Sequence, residues 1–343
     1  MRQISAVSVI VIALGIALGM LVLGTALGSS VINLRTVCAV LSAKLFHADS
    51  PGIDPKIATI VWELRLPRVL LAFCSGGALA LSGAVVQSVL KNQLASPYIL
   101  GVSSGASLGA GLVILSGFAL PFAGRFTLPL AGFIFALITV FFVVALASKL
   151  DKAMSNTTVV LFGMVFSLFV NALLTTLSAL YREELRNLLI WQMGSFAMRG
   201  WPYLTLLMPF TIIGVVGVLR WTREMDILTF GDDHALSCGV EAPKVRRTLL
   251  FFSTLLTGSA VALSGTIGFV DLIAPHLSRR LTCSEHRFVL PMSFLTGGSL
   301  CVAADLAART VAAPSELPVG AVTALIGAPF FVWVYFRKPR STA

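Results

Sequence analysis

The sequence predicts an all-α membrane protein of about ten transmembrane helices, with a short re-entrant half-helix and a cytoplasmic loop carrying two short helices. Residues 1–343 form one domain. Three observations predict this. Of the 343 residues, 57% are hydrophobic and only 12% are charged, too little polar surface to cover the core of a soluble domain of this size. Ten apolar runs approach the roughly 20 residues a helix needs to span a bilayer. No polar stretch is long enough to fold as a separate soluble domain.

The chain opens Met-Arg and runs apolar to about Leu27. That run is longer than the apolar core of a signal peptide and no clean small-residue cleavage site follows it, so 4–27 is read as the first span. A long first loop, 28–68, precedes a second span at 69–90. Further spans follow at 98–119, 126–147, 158–180, 201–219, 248–264, 267–281, 288–308 and 318–336. The run at 267–281 is the shortest of them. The apolar piece 187–198 is too short to cross and reads as the half-helix, tolerated at membrane depth only where protein or a cavity surrounds it. Gly101, Gly105 and Gly109 recur every fourth residue, as do Gly320, Ala324 and Ala328. Small residues on one face let helix backbones approach closely. Pro97, Pro129, Pro318 and Pro329 supply breaks or kinks.

An even number of spans puts both termini on one side, taken as the cytoplasm. The short loops on that side then hold Lys91, Lys149, Lys152, Arg220, Arg223, Lys244, Arg246, Arg247, Arg279, Arg280 and Arg287, and Arg2, Arg337, Lys338 and Arg340 mark the ends. This is the bias that orients membrane proteins, and it accounts for the net charge of +10 without nucleic acid. Between the sixth and seventh spans, 220–247 is mixed in charge. Met225, Ile227 and Leu228, then Ala235, Leu236 and Val240, suggest two short amphipathic helices broken near Gly231. Asp232 and Asp233 suit the start of the second. Such a pair reads either as a solvated loop or as a docking surface for a soluble partner.

Chemistry-bearing motifs are sparse. No GxxxxGK[ST] loop exists to hold a nucleotide, there is no HExxH and no Cys/His cluster, and Ser103 and Ser104 lack a partner base. Cys38, Cys74, Cys238, Cys283 and Cys301 form no CxxC pair and read as free thiols. An enzyme is not indicated. Ionisable residues inside spans are costly and stand out: Asp271 and His276 in the eighth, and Asp305 with Arg309, four apart on one face of the ninth. Asp271 reads as lying near the outer interface or a water-filled cavity, as an arginine's partner, or as a proton-coupling carboxylate. Five residues set Asp271 and His276 on different faces, about 7.5 Å apart along a helix axis, which argues against a direct pair.

Three segments in order carry a resemblance. They are "RLPRVLLAFCSGGALALSGAVVQSVLKNQLASPYILGVSSGASLGA" (65–110), "GTIGFVDLIAPHLSRRL…EHRFVLP" (265–291) and "AADLAART…ELPVGAVTALIGAPFFVWV" (303–334). Together they resemble the permease subunits of bacterial ABC importers for iron–siderophore complexes, haem and vitamin B12, and the similarity runs nearly end to end. The resemblance implies a multi-pass subunit of the inner membrane that is not itself an enzyme and binds no cofactor. It pairs with a second permease subunit, a copy or a paralogue, and sits in lipid. Two cytoplasmic ABC ATPase subunits carry the ATP and Mg, and a periplasmic binding protein delivers the cargo.

By motif, Arg65, Arg68 and Arg309 would meet glutamates of the binding protein, charge complementarity that orients docking. The loops after the second helix and before the fifth would form the cytoplasmic gate, with Asn92 and Leu94 in one and Asn156 and Thr157 in the other. The fifth and tenth helices and the half-helix would line the pathway. The helix pair at about 222–244 would couple to the ATPase through Asp226, Leu228, Gly231, Ala235, Leu236, Gly239 and Val240. Three positions depart from the family pattern: Gln93 replaces its usual proline, Asp271 a small residue, and Glu285 an aspartate. The alternative from another class is a proton- or ion-coupled secondary transporter using Asp271 and His276.

Overall fold

A computed structural model describes residues 5–28, 31–46, 53–121, 123–152, 154–181 and 183–336. The described residues form helices joined by turns, and no strand occurs among them. The order is α1 (Ala6–Ala26), α2 (Leu34–Phe46), α3 (Pro55–Thr59), α4 (Leu66–Val89), α5 (Val102–Ser116), α6 (Thr127–Leu150), α7 (Asn156–Leu180), α8 (Leu185–Gln192), α9 (Trp201–Leu219), α10 (Thr222–Thr229), α11 (Asp232–Ser237), α12 (Ala242–Ser264), α13 (Val270–Leu281), α14 (His286–Thr310) and α15 (Val319–Phe336).

Each of the ten expected spans falls on a helix. Seven are long and apolar enough to cross a membrane: α1, the run ending in α4, α6, α7, α9, α12 and α14. The other three, α5, α13 and α15, are shorter. At 15 residues α5 reaches only about 22 Å, against a hydrocarbon core of about 30 Å. A 3₁₀ turn at Pro97–Leu100 extends it by about 8 Å. Arg2, Arg337, Lys338 and Arg340, on which the placement of the two termini leaned, lie outside the described residues.

The first loop is more structured than its sequence suggests. It contains α2, and the second span begins early, as one helical run from Pro55 to Val89. A π-helical turn at Ile60–Arg65 interrupts that run, with the Leu66 amide bonding to the Val61 carbonyl. Pro67 explains it: its ring clashes with the carbonyl four residues back, and the wider turn relieves the clash.

The helix α4 is the centre of the bundle, buried over nearly its whole length, with α14, α12, α13 and α9 packed around it. Ser82 donates to the Ser253 carbonyl at 2.9 Å and receives Thr257 Oγ1 at 2.6 Å. These hydroxyl contacts tie α4 to α12 where no hydrophobic drive between helices exists. The every-fourth-residue glycines serve close packing: a Cβ on Gly105 or Gly109 would strike backbone carbonyls of α6.

The expected half-helix is α8, which ends at Gln192. The irregular backbone directly after it is tied to neighbouring segments. Ser195 N donates to Ser264 O at 2.7 Å, while Val319 N and Gly320 N donate to Gly194 O and Met193 O at 3.0 and 3.1 Å. Non-helical chain is stable at membrane depth only when its amides and carbonyls are satisfied in this way.

Candidate functional site

Charged side chains collect at the two ends of the bundle. At the first end, α4 begins, α14 finishes and α1 finishes. Arg65 is buried and donates to Thr25 O (3.3 Å) and Ala26 O (2.8 Å), carbonyls left open by the end of α1. Arg309, also buried, donates to Gly24 O at 2.5 Å and lies 3.4 Å from Asp305 of its own helix. That is the four-residue pairing expected from the sequence.

The stronger partner of Asp305 comes from another helix. Arg68 places Nη2 2.9 Å and Nε 3.1 Å from Asp305 Oδ1, and its Nη1 and Nη2 reach the two oxygens of Glu316 at 2.8 and 2.9 Å. The planar fork of arginine suits such two-edged pairing. Glu316 lies in the loop before α15, and the Arg68 hydrogen bonds hold its carboxyl below the ordinary glutamate value. The three arginines line one recess of about 710 Å³ together with Arg199 and Glu316. The structure thus brings together the residues expected to dock a binding protein, and adds Arg199, which sequence reasoning passed over. Its place beside Gly200, at the start of α9, was the available signal.

At the opposite end, α4 stops and α7 starts. Lys91, directly after α4, has φ 48°. Asn92 Oδ1 then accepts from Leu94 N at 2.9 Å, a local turn that leaves Leu94 exposed. On the other loop, Ser155 caps α7. Asn156 Nδ2 donates to Leu90 O at 2.9 Å. The two loops expected to form a gate are therefore in direct contact. Thr157 is exposed beside them.

Beneath this contact sit α10 and α11, the two short helices expected between the sixth and seventh spans. Gly231, with φ 117°, makes the turn between them in a conformation glycine alone adopts readily. The residues expected to couple divide into two faces. Leu228 and Ala235 are buried against the bundle, as is their neighbour Met225. Asp226 also points inward and accepts from His286 N (3.0 Å) and Nδ1 (2.5 Å) at the start of α14. Leu236 and Gly239 face outward, Leu236 being 70% exposed, and Val240 and Gly231 are half-buried. Phe230, missed in the sequence, is 77% exposed beside Leu236. A phenylalanine next to the turn glycine of a polar loop was its signal.

Asp232 opens α11. Its Oδ1 receives Arg246 Nη2 at 2.8 Å and Lys91 Nζ at 3.2 Å. Partial burial alone would raise its pKa, but the Arg246 guanidinium and the Lys91 ammonium outweigh it and hold the carboxyl below its ordinary value.

Asp271 is placed differently from the expectation of an outer interface or a water-filled cavity. It is 1% exposed, in the first turn of α13, where a negative charge is favoured by the helix dipole. Its carboxylate accepts from the Ser96 hydroxyl, a residue of the loop after α4. Gln87 Nε2 donates to its carbonyl, and Arg279 Nη1 reaches Gln87 Oε1 at 2.6 Å. The reason is packing: α13 crosses the last turns of α4 so closely that a Cβ on Gly83 would fall on the Asp271 carbonyl. Its partner is a hydroxyl rather than an arginine. His276, half-buried, takes no part in this arrangement, as their helical offset anticipated.

A bundle of membrane-length helices thus carries two touching loops at one end and a charged recess at the other. The chain belongs to the FecCD transport family, which matches residues 13–337. It is 41% identical over 320 residues to the uncharacterized ABC transporter permease protein YvrB of Bacillus subtilis (strain 168), covering 93% of this chain and 91% of that one. It is 38% identical over 278 residues to the Fe(3+) dicitrate transport system permease protein FecD of Escherichia coli (strain K12), covering 81% and 85%. Other relatives are named as permeases for cobalamin, hemin and molybdate import. A solved structure of a metal-chelate type ABC transporter in an inward-facing conformation superposes with a TM-score of 0.80 at 29% identity, covering 97% of this chain and all of that one.

Proposed function

We propose that this chain is the membrane-spanning subunit of an ATP-driven importer that carries an iron chelate from periplasm to cytoplasm. A siderophore comes first, with haem and cobalamin as the next candidates. Two permease subunits would enclose the pathway in the inner membrane, with both termini in the cytoplasm. The chain itself binds no nucleotide; ATP and Mg belong to two partner ABC ATPase subunits.

One observation carries this reading. The helix pair α10–α11 presents Phe230 and Leu236 outward at the end where the two gate loops touch. Exposed large apolar side chains rimmed by polar residues mark a protein contact. The opposite end holds the recess lined by Arg65, Arg68, Arg199, Arg309 and Glu316, whose excess of positive charge suits acidic residues of a periplasmic binding protein. The cargo reading leans on the ferric dicitrate relative and the metal-chelate structure.

The test is reconstitution in liposomes with an ABC ATPase and the binding protein. ATP hydrolysis should require the ATPase and rise when loaded binding protein is added. Hydrolysis by this chain alone would overturn the reading. Offering the binding protein ferric dicitrate, hemin, cobalamin and molybdate in parallel decides the cargo, and preference for molybdate would overturn the iron-chelate assignment.

A further inference from the structure

One ring of side-chain contacts connects the short helix α11 to both gate loops. Asp232 Oδ1 receives Lys91 Nζ at 3.2 Å, and Lys91 belongs to the loop after α4. The same oxygen receives Arg246 Nη2 at 2.8 Å. Arg246, only 4% exposed in the second turn of α12, also extends Nη1 to Met154 O at 3.3 Å. Met154 lies in the loop before α7, and Asn156 Nδ2 closes the ring on Leu90 O at 2.9 Å. The companion helix α10 is anchored elsewhere, through Asp226 to His286 of α14.

We propose that Asp232 is the positioning residue through which movement of α10–α11 is passed to the two gate loops. Three features argue for transmission rather than support. Asp232 is 44% exposed, and its pair with the exposed Lys91 is of the kind that adds little to stability, typically about 0–1 kcal/mol, while the buried Arg246 keeps a second bond to Met154 O. One oxygen serves both cations, so displacing α11 loads both loops together. The loops themselves leave regular helix at the points of attachment, with Lys91 at φ 48° and Met154 at φ 50°, so they can shift without dragging a whole helix. A shared contact of this kind predicts coupling energy between its members, which is the physical warrant for transmission.

The proposal rests on the reading of α10–α11 as an ATPase docking element. Its test uses the full transporter in lipid, with the native cysteines replaced by alanine and a spin label at Leu94→Cys on each of the two permease subunits. The distance between the labels is followed on adding ATP with vanadate, beside the rate of ATP hydrolysis. In Asp232→Asn, hydrolysis should stay within about twofold of the parent, because the amide oxygen still accepts from the buried Arg246, while the ATP-driven label shift falls by at least about half. Asp232→Glu should restore the shift. Lys91→Ala combined with Asp232→Asn should be no worse than Asp232→Asn alone. A full label shift in Asp232→Asn would overturn the proposal, as would parallel loss of hydrolysis and ATPase association, the mark of a structural role. If the parent transporter shows no response to ATP, the docking reading itself fails and the proposal falls with it.

Discussion

Both ends of the bundle join a carboxylate to two cations, but they bury the carboxylate to opposite degrees. At the first end, Asp305 is sealed between Arg68 of α4 and Arg309 of α14. At the other, Asp232 bridges Lys91 and Arg246 while remaining open to solvent. Removing one partner of a buried pair strands a charge in low dielectric and is far costlier than parting an exposed one. The first cluster therefore fastens three helix ends together, and the second can be stretched and re-formed.

The sharpest way to break this contrast is to remove both carboxylates in turn. Asp305→Ala should destabilise by about 3–5 kcal/mol, read as a large fall in the thermal unfolding temperature of the purified protein. A stable Asp305→Ala variant would mean the first end is as loose as the second. Next comes Gly83→Ala, between the two ends, where the new Cβ would meet the Asp271 carbonyl. Overpacking of this kind costs about 1–3 kcal/mol, and unfolding temperature again reports it. Asp232→Asn should have the smallest effect, about 1 kcal/mol, because its amide oxygen still accepts from Arg246, which is itself buried. Its effect should shrink further in about 0.5 M salt, because exposed charges are screened while buried pairs are not.

Acid sharpens the comparison last. The folded-state pKa values of Glu316 and Asp232 are depressed. Each therefore contributes stability that is full above the unfolded carboxylate value of about 4 and is lost as pH falls through the lower folded value. Unfolding temperature should therefore fall as pH drops below about 4. Glu316→Gln should start lower at neutral pH and show a shallower acid limb. An unchanged limb in that variant would show that the Arg68 fork contributes nothing measurable.

Most of the fold was legible because lipid imposes a simple rule. A run of apolar residues such as Ala6–Ala26 or Thr127–Leu150 has no alternative to a spanning helix. The break at Gly231 and the acidic start of α11 were legible for local reasons of φ and dipole. Hidden features were those made by distant pairing. Arg68 belongs to a motif, but nothing in its neighbourhood announces Asp305 and Glu316, 237 and 248 residues away. Arg65 was expected to meet a glutamate of a binding protein, yet the carbonyls at the end of α1 draw it inward. Asp271 was visible as an anomaly, and only the crossing of α13 over α4 shows why it is dry.

The irregular backbone around Met193–Ser195 has an electrical consequence. The chain segments that leave α8 and α12 and those that enter α13 and α15 converge there, as the bonds from Ser195 to Ser264 and from Val319 to Gly194 show. Two carboxyl-terminal helix ends, each worth about half a negative charge, thus meet two amino-terminal ends of about half a positive charge. Opposed poles of this kind offset part of each other's charge where four helices are interrupted inside the membrane.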